Sequence, residues 1–167
     1  HHGVSATFFI LGYVAKQHPE LIKKISDKGH EVACHGMRHR MVNTLTPDEF
    51  RMELRESSKY IEEACGKKVT AYRAPSWSID RSCLWAFDIL GDEGYTVDSS
   101  LQAFRTPLSG MGDIPLKPFI PVINGRSTGI TEFPHSPFKL GVLKIPYSGG
   151  LYLRLLPVFI IKQLHGM

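Results

Sequence analysis

A chain of 167 residues, 43% hydrophobic and 22% charged, has enough apolar surface for one core and reads as a single globular domain over 1–167. Its net charge of +4 and pI near 9.0 come from dispersed lysines and arginines without a basic run, so charge gives no argument for nucleic acid as a partner. Cys34, Cys65 and Cys83 are too few and too widely spaced for a disulfide framework, and no apolar run approaches the roughly 20 residues of a membrane span.

From Gly3 to Ser100 short apolar runs alternate with helical patterns, the grammar of βα units and a parallel sheet. The first run, "ATFFIL" (6–11), predicts a strand. A helix then opens at Pro19, presents Leu21, Ile22 and Ile25 to one side and stops at Gly29. "HEVACH" (30–35) predicts the second strand. Thr46, Pro47 and Glu49 form a capping box, after which Phe50, Leu54, Ile61 and Cys65 repeat at helical spacing up to Gly66. "VTAYRA" (69–74) and "YTVDSS" (95–100) predict two more strands, separated by a helix from Arg81 to Glu93 that buries Leu84, Phe87 and Leu90. After Ser100 the grammar changes: eight of the eleven prolines fall there, and 101–167 reads as loop with one helical stretch at 151–166.

In parallel α/β folds, functional groups collect where strands end. His35 closes the second predicted strand, Arg73 lies near the end of the third and Asp98 sits in the fourth, so all three are expected on one rim. If one helical turn joins His35 to His39, their rings share a face at a separation that suits two ligands of one zinc-like ion. The same spacing also decorates turns, and both readings stand open. Cys34, one residue earlier, points the other way and belongs to the core. Arg73 either pairs with a carboxylate or bonds loop carbonyls at the sheet edge, and Pro75 fixes the loop that follows it. Trp77 is either a sugar-stacking surface or a packed aromatic, and Asp98 either a functional carboxylate or a turn-former. His18 and His30 read as structural, and His135 is left open. The glycines of "SGGLYLRLLP" are followed by no phosphate-loop lysine, so a nucleotide site is rejected.

Taken together, "ATFFILG", "GHEVACHGMRH", "YRAPSWSI" and "GYTVDSS", in that order, closely resemble the polysaccharide deacetylases with a NodB-homology domain, the fourth carbohydrate esterase family. "RAPSWSI" and "SGGLYLRLLP" are most similar to the subgroup that accompanies bacterial exopolysaccharide and PEP-CTERM exosortase loci. The resemblance implies an α/β fold, a (β/α)7-type barrel present here in part, and a hydrolase that removes N-acetyl groups from an amino-sugar polysaccharide. It implies a divalent metal, usually zinc, held by His35 and His39 with an aspartate. Arg73 matches the arginine that orients the catalytic aspartate, Asp98 an acidic position of the fourth motif, and Pro75 and Trp77 the substrate groove. The family's first motif, with the third ligand and the general base, and its last, with the general acid, have no match among the 167 residues, and Gln163 stands where the last motif would need leucine before His165. The chain is therefore expected to be a truncated, inactive part of a longer hydrolase, with His1 and His2 either a tag remnant or an internal stretch. Two alternatives are a noncatalytic carbohydrate-binding module of the same fold and an allantoinase-type hydrolase of small amides. Reduced thiols and the absence of a span fit the cytoplasm.

Overall fold

A computed structural model describes residues 3–105, 110–135, 137–140 and 143–145. In chain order the elements are β1 (Thr7–Ile10), α1 (Gly12–Gln17), α2 (Pro19–Asp27), β2 (Glu31–Cys34), α3 (Pro47–Cys65), β3 (Ala71–Tyr72), α4 (Ala86–Asp92), β4 (Val97–Asp98), β5 (Val122–Ile123), β6 (Arg126–Ser127), β7 (Thr131–Glu132), β8 (Phe138–Leu140) and β9 (Leu143–Ile145). β1, β2, β3, β4 and β7 form one parallel sheet in that order, while β5–β6 and β8–β9 are separate antiparallel hairpins. The expected α/β architecture is present, and the four predicted strands lie side by side in sequence order.

The strand faces divide the molecule. Cys34, Tyr72 and Asp98 stand in register on neighbouring strands and share one face, and Cys34 and Tyr72 pack there beneath the helices. Phe50 of α3 meets Tyr72 edge-on at 5.6 Å, and Tyr72 meets Tyr95 at 5.9 Å. Each such pair adds about 0.5–1.5 kcal/mol to its area burial. The alternate residues, among them Phe9, Ala71, Arg73, Val97 and Phe133, line a cavity of about 400 Å³ on the other face.

α3 matches its prediction closely, because its signals are local. The Thr46 side chain accepts from Glu49 N, the Glu49 carboxylate accepts from Thr46 N, and Gly66 ends the helix in the left-handed region at φ 69°. Its buried face carries Phe50, Leu54, Ser57 and Ile61, whereas Cys65 is half-buried.

Other expectations need correction. In α2 only Ile22 is fully buried and Leu21 is 46% exposed, so the apolar stripe is narrower than the sequence suggests. α4 begins at Ala86 rather than Arg81 because the Asp80 carboxylate accepts from Ser82 N and Oγ, a local turn that competes with the helix. The stretch after Ser100 is not mere loop: β7 extends the main sheet, and Asn124-Gly125, both at positive φ, turn the β5–β6 hairpin. The helix expected over 151–166 and His165 lie outside the described residues.

Candidate active site

The second strand ends in a turn rather than a helix. Gly36 takes φ 79° and His39 takes φ 59°, so no helical turn joins the two histidines as the spacing suggested. The rings nevertheless meet, with centroids 5.2 Å apart and planes at 77°. Three groups hold the turn. Gly12 N and Tyr13 N, at the start of α1, donate to the carbonyls of Gly36 and Met37 at 2.9 and 3.1 Å. Glu53 of α3 accepts from Met37 N at 2.8 Å and Arg38 N at 3.3 Å. Neither α1 nor the role of Glu53 is foreseen from the sequence, since both act across long separations.

His35 Nδ1 lies 2.6 Å from the Arg73 carbonyl oxygen, which only accepts, so the ring N–H sits on Nδ1 and Nε2 keeps its lone pair. That is the arrangement of a metal-binding histidine oriented by an outer partner. Burial, with the neighbouring charges of His39 and Arg73, lowers the His35 pKa and favours the neutral ring that a metal needs. The two imidazoles fit a divalent ion as two of its ligands. No third His, Cys, Asp or Glu joins them among the described residues.

Arg73 points into the same space. Its Nε and Nη2 donate to Ser99 O at 3.3 Å and Ser99 Oγ at 2.8 Å, and its guanidinium lies 4.1 Å from the Phe9 ring centroid. Of the two readings of this arginine, bonding to loop oxygens is the one observed. Phe9, His35, His39, Arg73, Ala74, Ser76 and Trp77 line a cleft of about 290 Å³. Pro75 is buried and starts the tight turn that carries Trp77.

Asp98 is not part of this cleft. Arg73 stands opposite Ser99, so Asp98, opposite Tyr72, turns to the helix face and is fully buried. Its carboxylate accepts from Ser100 Oγ at 2.6 Å and Ser100 N at 3.1 Å, and Ser100 Oγ accepts from Ala74 N at 2.8 Å. The expected catalytic carboxylate is thus a buttress beneath the Arg73–Trp77 loop. Glu132, in register with it on β7, is also fully buried. Burial pushes both carboxyls up, and Glu132, beside the Asp98 charge, is pushed to about 11.

A family model described as polysaccharide deacetylase matches residues 1–95, more than half the chain. The chain belongs to the polysaccharide deacetylase family. A second model, a domain of unknown function (DUF3473), matches residues 99–166. Among relatives of this deacetylase-family chain, a chitooligosaccharide deacetylase of Rhizobium leguminosarum bv. trifolii is 28% identical over 171 residues, covering 93% of the chain and 79% of the relative. A Mycobacterium smegmatis structure assigned as a polysaccharide deacetylase aligns at TM-score 0.63 and 27% identity, over 85% of the chain and 48% of the neighbour. A pseudoenzyme of carbohydrate esterase family 4 from Bacillus anthracis aligns at TM-score 0.53 and 32% identity, over 58% of the chain and 34% of its own length. The chain spans less than half the length of most of these relatives. The sheet is that of the family's (β/α)7 barrel, with five parallel strands among the described residues.

Proposed function

We propose that this chain is the metal-holding and substrate-positioning part of a hydrolase that removes N-acetyl groups from an amino-sugar polysaccharide, an exopolysaccharide or cell-envelope glycan. The observation that carries the reading is the meeting of His35 and His39 at the end of β2, with the His35 Nδ1 proton taken up by the Arg73 carbonyl. The family membership and the chitooligosaccharide deacetylase among its relatives support the substrate class.

His35 and His39 would hold a divalent ion, zinc in our reading, through imidazole nitrogens. Such an ion, when bound, supplies Lewis-acid polarisation of an amide carbonyl and a water activated near neutral pH. Arg73 Nη1 has no hydrogen-bond partner among the described residues and offers a donor to an oxygen of the substrate or to a carboxylate brought to the cleft. Trp77 offers an apolar wall for a sugar ring. Neither Asp98 nor Glu132 can serve as the general base from the helix face, so the 167-residue chain alone is proposed to bind metal and glycan without turnover. A second reading, a noncatalytic carbohydrate-binding module, is supported by the pseudoenzyme among the solved neighbours.

Zinc titration of the wild-type chain and of His35→Ala and His39→Ala tests the metal site. One equivalent should bind, and each substitution should weaken it by at least the roughly 10- to 100-fold that loss of an outer-shell partner costs. Equal binding in wild type and variants would refute the site. Acetate release from chitotetraose by the full gene product separates the readings: release supports the hydrolase, and tight binding without release supports the module.

A further inference from the structure

His135 lies just beyond β7, where its N–H donates to Leu101 O at 2.8 Å and its carbonyl accepts from Ala103 N at 3.1 Å. This backbone clamp sets the imidazole against Trp77, with ring centroids 4.2 Å apart and planes only 17° from parallel. Phe104 packs edge-on to the same imidazole at 5.2 Å, and Gln102 Nε2 lies 3.3 Å from its Nδ1. Backbone, neighbouring ring and amide thus all fix the plane that Trp77 rests on.

Trp77 is held at a cost. Ser76 and Trp77 take φ 55° and 50°, a left-handed region that side-chain-bearing residues avoid, and the buried indole N–H has no partner among the described residues. Packing alone would place a tryptophan in relaxed backbone with its N–H bonded, whereas tolerated strain gathers at ligand sites. The strained ring borders the cleft that holds His35, His39 and Arg73, and Arg73 lies 5.8 Å from its centroid. His135 is not in that lining, so its contact with a ligand would run through the indole.

We propose that His135 is a positioning residue: its imidazole stacks on Trp77 and holds the indole in its strained pose as the wall against which the apolar face of a pyranose ring rests. The proposal builds on the glycan reading given above. A flat ring at 135 is what the stacking geometry asks for, with the Gln102 contact to Nδ1 as a second restraint on its plane.

The test is calorimetric binding of chitotetraose, with zinc present, to the wild-type chain and to His135→Ala, His135→Leu and His135→Phe, alongside the near-ultraviolet circular dichroism of the indole. Alanine and leucine should weaken binding about three- to tenfold, the range expected for one aromatic pair, and reduce the indole signal. Phenylalanine should restore both to within about twofold of wild type. The leucine variant keeps the apolar volume, so the leucine–phenylalanine contrast reads planarity even where alanine fails to fold. Binding by the leucine variant equal to wild type, or loss in the phenylalanine variant as large as in leucine, overturns the assignment. A wild-type chain that binds no chitotetraose sinks the glycan reading and the assignment with it, an outcome distinct from variants that bind as well as wild type.

Discussion

Ser100 joins the two faces of the sheet at the scale of a single hydroxyl. It donates to the buried Asp98 carboxylate and accepts from the Ala74 N–H that begins the Pro75–Trp77 turn. Ser100→Ala leaves the buried Ala74 N–H unpaired and leaves Asp98 with only the Ser100 N–H of its two Ser100 donors, and should cost about 1–3 kcal/mol in urea unfolding. The same substitution should lower the affinity for chitotetraose, because the turn it anchors carries Trp77. These contacts also explain which site residues were legible. His35, His39, Arg73 and Trp77 were readable because strand ends converge, and the cleft does collect them. Asp98 was misplaced because side chains alternate along a strand, and the register that puts Arg73 opposite Ser99 is set by the whole sheet. Glu53 gives no local signal and His135 only an open one, since each acts on a residue far along the chain.

The helices divide by where their stability comes from. α3 carries its own capping box and left-handed glycine stop, and was legible to its last residue. Thr46→Ala should destabilise the chain by about 1 kcal/mol, seen as an earlier urea midpoint with unchanged slope. α1 has six residues and no side-chain cap; it exists because its first N–H groups meet the Gly36 and Met37 carbonyls and because Gly12 lies directly on α3. A Cβ on Gly12 would meet Ser57 Cα at 2.5 Å and Met37 Sδ at 2.6 Å. Gly12→Ala should therefore cost about 1–3 kcal/mol and loosen the histidine turn with it, which a parallel fall in zinc affinity would reveal. No sequence pattern announces such a helix, because its partners are tertiary. The Asn124-Gly125 hairpin is the opposite case: its turn signal is local and present in the sequence, in a stretch where the surrounding prolines otherwise read as loop.

On the scale of the whole molecule, the sheet runs unbroken across the junction of the two family models, since β4 pairs with β7 and Asp98 stands beside Glu132. The buried carboxyl pair makes this seam sensitive to alkali. In the folded chain Glu132 keeps its proton up to about 11, whereas in the unfolded chain it loses it near 4.5. The folded state therefore binds the extra proton throughout that window, and stability falls as pH rises across it. Glu132→Gln, which keeps the acceptor for Leu101 N and places an uncharged amide beside Asp98, should flatten the decline; urea midpoints of both proteins from about pH 6 to pH 10 measure the difference. An identical slope in the two proteins would mean that Glu132 is ionised in the fold.

The two borders of the sheet are not alike. Phe119 bridges the outer side of Glu132 in both directions, at 2.8 and 3.1 Å, whereas β1 pairs with β2 alone among the described residues. Ala6 and Ile10 send their carbonyls toward β2, so by strand alternation the Phe8 and Ile10 amides face β2 while those of Thr7 and Phe9 face outward. Amide hydrogen exchange should split this one strand into slow and fast alternate positions, and any polypeptide that shields Thr7 and Phe9 together would be docking main chain to main chain, as a sixth parallel or antiparallel neighbour.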